Sequence, residues 1–104
     1  PTRRSSDLER KGPHLHIIRH SYYVCIKGKV VFIIKEKSGK YLEIESSEEN
    51  PVLVEIPKDY SSAHINLSSE SSIILSVVNP SWKPDNRDEH NVTYDDYDWN
   101  KWKK

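Results

Sequence analysis

Six short apolar runs, each closed by a turn, a polar loop or a proline, constrain the fold of this chain more than any other feature. Tyr22-Tyr23-Val24-Cys25-Ile26 and Val30-Val31-Phe32-Ile33-Ile34 are β-branched and aromatic, with Gly28 between them. Lys37-Ser38-Gly39-Lys40 has the composition of a hairpin turn. Tyr41-Leu42-Glu43-Ile44-Glu45 then alternates with period two, and a polar loop from Ser46 to Pro51 follows. Val52-Leu53-Val54-Glu55-Ile56 is stopped by Pro57, Ala63-His64-Ile65-Asn66-Leu67 alternates again, and Ser72-Ile73-Ile74-Leu75-Ser76-Val77-Val78 is stopped by Pro80. No segment carries a helical stripe. Short strands at this spacing, joined by polar turns, predict an all-β fold, a sandwich or small barrel with antiparallel strands. A barrel of this size has a mouth lined by side chains that holds one small ligand.

At 104 residues the chain has the length of one domain, and at 35% hydrophobic and 31% charged it is poor in core-forming side chains. A small core of this kind gains from a second copy, so a homodimer is expected. No apolar run has the ~20 residues of a membrane helix, and no secretory signal pattern is present. Cys25 is the single cysteine, which excludes an intrachain disulfide and a thiolate zinc site. Zero net charge argues against a general nucleic-acid binder. The zero conceals an asymmetry. Residues 1–40 hold ten Lys/Arg against three acids, and residues 41–104 hold six against thirteen. The basic half faces an anionic ligand, or the two halves simply solvate one surface. Residues 1–8 have no apolar pattern and read like a translated sequencing-adapter oligonucleotide. They are expected to be a non-native leader, which leaves the natural start of the chain, and strands that belong to it, missing. The domain is then 9–104, with an irregular acidic and aromatic tail from about 84. That tail is expected to pack across an opening or against a partner chain.

His14 and His16 stand two apart in an extended segment, so they share a face. Paired imidazoles that titrate near neutrality suit proton transfer or metal binding. Here the residues resemble a family. His14-x-His16, Ser21 and Gly28 match the first cupin motif in spacing, with Ser21 where that motif has a glutamate. Residues 56–66, from Ile56-Pro57 to Asn66, resemble the second motif, with Asp59 at its glycine and Ser62 at its histidine. Two metal ligands are thereby absent, and His20 and His64 are off the required spacing, so no metal or other cofactor is implied.

Metal-free cupins with a retained histidine are typical of enzymes acting on nucleotide-linked 4-keto-6-deoxy sugars. The chain resembles the deoxythymidine-diphosphate 4-dehydrorhamnose 3,5-epimerases and their 3,4-ketoisomerase relatives. Lys11-Gly12-Pro13-His14 is similar to their Arg-Gly-x-His element, with lysine for arginine. Leu67-Ser68-Ser69-Glu70, Trp82-Lys83-Pro84 and Tyr94-Asp95-Asp96 with Trp99 follow the order of their C-terminal half. The resemblance implies a cupin (jelly-roll) barrel in which His14 is the catalytic base, oriented by Asp96 or Asp95. Tyr60, Tyr22 or His16 would supply the acid. Cations near the site (Lys11, Arg19 and Lys27, with Arg10 and Lys29) would meet the diphosphate, and Asn66 and Trp82 would help bind substrate. The implied activity is epimerisation or isomerisation of a nucleotide-diphosphate sugar in the cytoplasm, for cell-surface polysaccharide synthesis. The alternatives are a non-catalytic cupin that binds a sugar or nucleotide sugar or only dimerises, and, third, a metal-dependent cupin enzyme.

Overall fold

The computed structural model describes residues 9–79 and 89–103. The expected leader at 1–8 and Trp82 lie outside them. Among the described residues the strands are β1 (Glu9–His16), β2 (His20–Lys27), β3 (Lys29–Lys35), β4 (Tyr41–Ser47), β5 (Val54–Ile56), β6 (Ser61–Asn66), β7 (Ile73–Asn79) and β8 (Glu89–Asn91). A 3-10 turn over Trp99–Trp102 is the helical element among these residues. The strands form two antiparallel sheets, β4-β3-β6-β1-β8 and β5-β2-β7. This is the all-β cupin-type architecture expected.

The six apolar runs are β2 to β7. Two strands depart from the sequence reading. β1 begins at Glu9, well before the apolar pattern starts, and β8 lies inside the stretch expected to be irregular. Neither Glu9-Arg10-Lys11-Gly12-Pro13 nor Glu89-His90-Asn91 contains a residue that hydrophobic periodicity can register. Both are held by backbone pairing: β1 lies between β6 and β8, and β8 pairs with β1 alone in its sheet.

β3 explains the core. It is buried on both faces, which is why Val30–Ile34 reads as an unbroken apolar run. Val30, Phe32 and Ile34 point between the sheets, where they meet Cys25, Val54 and Ile56. Tyr23 stacks on Phe32 with ring centres 5.6 Å apart. Val31 and Ile33 point the other way and join Ala63, Ile65 and Tyr94.

The tail after β8 therefore packs on the outer face of the five-stranded sheet, rather than across an opening. Tyr94 is its anchor, 3% exposed, and burying such a side chain contributes roughly 1.5–3 kcal/mol. Its hydroxyl meets Ser61 Oγ at 2.7 Å. Tyr97, Trp99 and Trp102 spread over the same face. Polar contacts fasten the edge. Tyr41 donates to Asp96, Tyr97 Oη donates to Glu43 Oε2 at 2.5 Å, and Lys101 Nζ reaches both Glu43 oxygens at 2.8 and 2.9 Å.

Candidate functional site

The site begins with an irregularity in β1. Lys11 pairs with His64 on β6, yet His14 pairs with Ser62, so three steps on β1 match two on β6. This is a β-bulge, and it falls on Gly12-Pro13. Gly12 has φ +89°, and a Cβ there would lie 2.9 Å from the Ser62 carbonyl oxygen. The extra residue changes which side chains share a face. In a regular strand, positions three apart point in opposite directions. With the bulge, Lys11, His14 and His16 all face the space between the sheets, beside Ser62 and His64 of β6.

These side chains line a cavity of about 140 Å³, completed by Phe32, Tyr23, Ile56, Arg19 and Glu89. His16 is buried at 7% exposure. Arg19 approaches both of its ring nitrogens, Nε at 3.0 Å from Nδ1 and Nη2 at 2.8 Å from Nε2. A neutral imidazole offers one acceptor nitrogen, so with His16 neutral only one of these is a hydrogen bond. Glu89 stands beside all three groups, 3.8 Å from His14 Nδ1, 3.8 Å from His16 Nε2 and 3.7 Å from Arg19 Nη2. His14 Nδ1 is buried and has no hydrogen-bond partner. Burial, followed by the nearby Lys11 and His14, pushes the His64 pKa below the ordinary histidine value.

Four of the predicted site residues, Lys11, His14, His16 and Arg19, thus come together in the cavity. The others do not. Asp96 accepts from Tyr41, a bond that lowers its pKa, and Asp95 lines a shallow depression with Arg10 and Trp99. Both lie on the outer face, and the five-stranded sheet separates them from His14. The reason is Tyr94, whose burial there carries its neighbours with it. Among the described residues the carboxylate near His14 is Glu89, so the expected pairing with Asp95 or Asp96 is corrected.

Tyr60 packs against the inter-sheet core with Lys37 Nζ 5.7 Å from its ring centre, outside the cavity wall. Tyr22 donates to Glu55 at 3.4 Å on the outer face of the three-stranded sheet. Lys27 is exposed at the far end of β2, opposite Ile73. Asn66 organises a turn, accepting from Ser68 and Ser72 and donating to the Glu70 carbonyl. Arg10 lies over Trp99 at 4.3 Å, and Lys29 pairs with Glu45 at 3.0 Å. Among the described residues no three His, Cys, Asp or Glu side chains converge as metal ligands.

Sequence reasoning passed over Glu89, read Tyr23 as a strand residue and Ser62 as the place of a missing metal ligand, and considered His64 only as a replacement metal ligand. Glu89 carries no local signal that sets it apart from the other acids of the tail. His64 carried none either: it alternates with the apolar Ala63 and Ile65, and periodicity alone sets it on the polar face of its strand.

A two-sheet cupin domain with imidazoles and cations gathered between its sheets defines the class. The chain belongs to the FdtA family (WxcM-like, C-terminal), whose model matches residues 4–98. This is a cupin-fold family of sugar-nucleotide isomerases and epimerases, the kind the motifs resemble. Solved structures with the same fold include the capsular polysaccharide assembling protein CapF from Staphylococcus aureus, at 22% identity and a TM-score of 0.76 over 84% of this chain and 24% of CapF. The dTDP-4-dehydrorhamnose 3,5-epimerase from Sulfolobus tokodaii matches at 23% identity and 0.71, over 86% of this chain and 55% of the epimerase. ChmJ, a 3'-monoepimerase from Streptomyces bikiniensis solved with dTDP-quinovose, matches at 16% identity and 0.68, over 83% and 48%. The chain therefore spans about a quarter of CapF and about half of these epimerases. Comparison with curated proteins found no match.

Proposed function

We propose that the chain moves a proton on a carbon next to the ketone of a nucleotide-linked 4-keto-6-deoxy sugar, as an epimerase or ketoisomerase, with His14 as the base. The observation that carries this reading is the state of His14. Its Nδ1 is buried without a hydrogen bond, 3.8 Å from a carboxylate, in a cavity that also holds Lys11 and Arg19. A proton next to a ketone is acidic enough for an imidazole to remove when the base is fixed in place. Glu89 steadies the imidazolium as the charge develops, closing on Nδ1 and leaving Nε2 for the substrate. Lys11 and Arg19 supply the positive charge that a diphosphate requires.

CapF is described as a capsular polysaccharide assembling protein, and the same setting, in the cytoplasm, is proposed for this chain. A homodimer is part of the reading. Ile73, Leu75 and Val77 present an exposed apolar row on β7, an area that a second copy would cover. Sedimentation at tens of micromolar tests this, and a monomer contradicts it.

The catalytic reading is tested by turnover of thymidine-diphosphate 4-keto-6-deoxyglucose by the parent and by His14→Asn. Losing a general base lowers the rate by about 10²–10⁴-fold. A variant as fast as the parent removes His14 from the mechanism.

A further inference from the structure

His64 is an imidazole of the cavity to which proton transfer by His14 gives no task. It sits on β6 between Lys11 of β1 and Phe32 of β3. Because it follows Ser62 by two residues, it shares the cavity face, and both side chains line the cavity. His14 pairs with Ser62, so His14 and His64 are diagonal neighbours on adjacent strands. The Phe32 ring lies 5.7 Å from the His64 ring, tilted by 56°, and forms an apolar wall behind it. Among the described residues the other charged or titratable groups around the cavity are Lys11, His14 and His16 from β1, Arg19, Tyr23 from β2 and Glu89 from β8.

We propose that His64 holds the ketone oxygen of the sugar while His14 works on the adjoining carbon, so that the two imidazoles address neighbouring atoms of one substrate. This rests on the proton-transfer reading above. As His14 takes the proton, the C–H electron pair becomes the new carbon–carbon double bond. The carbonyl π pair settles on oxygen, where the N–H of His64 stabilises it. Returning the proton to either face of the same carbon restores the ketone and both imidazoles; returning it to the former carbonyl carbon, while the proton of the adjoining hydroxyl passes to the enolate oxygen, leaves the ketone on the next carbon, and in neither case is an oxidant or reductant consumed. Burial, and after it the nearby Lys11 and His14, lower the His64 pKa and so favour its neutral form. A neutral imidazole polarises a carbonyl without giving up its proton prematurely.

The test uses His64→Leu and His64→Gln beside His14→Asn, with thymidine-diphosphate 4-keto-6-deoxyglucose as substrate. His64→Leu removes the donor and should lower kcat by about 10²–10³-fold, the scale for losing one donor to a developing oxyanion. KM should change little. His64→Gln keeps an N–H that does not titrate. It should recover most of the rate and lose the part of the acid limb of the pH–rate profile that His64 protonation causes, a change that a purely structural role would not produce. If His64→Leu turns over within about threefold of the parent while His14→Asn is dead, this proposal fails and the base reading stands. If the parent itself moves no proton, both fail. If the leucine variant does not fold, the glutamine profile decides, and an acid limb identical to the parent's overturns the role.

Discussion

Replacing Gly12 by alanine puts a Cβ where the backbone has no room for one. At φ +89° the residue is in a region that L side chains rarely adopt, and that conformation costs a non-glycine residue about 1–2 kcal/mol. The new Cβ would also stand 2.9 Å from the Ser62 carbonyl oxygen and 3.3 Å from Ala63 Cα. These are main-chain atoms of the neighbouring strand, so the strand must move, at a further cost of about 1–3 kcal/mol. The total is roughly 2–5 kcal/mol, a large part of the stability of a small domain. Gly39 is the internal control. It has φ +95° but nothing within 4 Å of a built Cβ, so Gly39→Ala should carry the conformational cost of about 1–2 kcal/mol alone. Urea unfolding of both variants separates the two contributions through the midpoint at constant m. If Gly12→Ala is no less stable than Gly39→Ala, the close approach at the bulge is not what fixes β1. A bulge lost by relaxation would shift β1 by one residue and turn Lys11, or His14 and His16, out of the cavity. The same variant should therefore lose binding of the nucleotide sugar even where it stays folded.

Tyr97→Phe removes the hydroxyl that donates to Glu43 and accepts from Trp102 Nε1, and should cost about 1–2 kcal/mol in a denaturation curve; an unchanged midpoint would show that this bond does not hold the tail. Burial and then the Glu43 carboxylate push the Tyr97 phenol up to about 12 from an ordinary 10. The unfolded chain releases that proton first, so its contribution is complete below pH 10 and is lost as pH rises from 10 to 12, a loss that Tyr97→Phe should lack in alkaline unfolding curves. Cys25 is fully buried and burial pushes its thiol pKa up, so a thiol reagent should label it only after denaturant is added, and rapid labelling of the native chain would contradict its place in the core. Glu89→Gln keeps the shape but not the charge beside His14; kcat should fall by about tenfold or more with nucleotide binding retained, and an unchanged kcat removes Glu89 from the account.

Much of this fold was legible because its strands bury branched side chains. The Val30–Ile34 run even indicates burial on both faces, since it does not alternate. The β1–β8 side of the five-stranded sheet was not legible. β8 and the first half of β1 pair through their backbones and bring charged residues, so hydrophobic periodicity passes over them. The histidine pair was readable from its spacing. Its surroundings were not, because they depend on two facts of packing. One is the bulge: simple alternation sets Lys11 and His14 on opposite faces, and only the extra residue at Gly12-Pro13 brings them together. The other is the side of the sheet on which the tail lies. Tyr94-Asp95-Asp96 offers carboxylates to a histidine on paper, yet burial of Tyr94 against Ile33 and Ile65 sends them to the wrong face. Among the described residues Glu89, a few residues earlier on an edge strand, is the acid that reaches the cavity.

The central claim is that this cavity moves a proton next to a sugar ketone, and the exchange of that proton with solvent reads it most directly. Thymidine-diphosphate 4-keto-6-deoxyglucose is incubated in D2O with the parent chain and followed by proton NMR. The account predicts loss of the signal at a carbon adjoining the ketone faster than in the enzyme-free control, and no such acceleration with His14→Asn. Exchange no faster than the control with the folded parent, or equally fast with the variant, would contradict it.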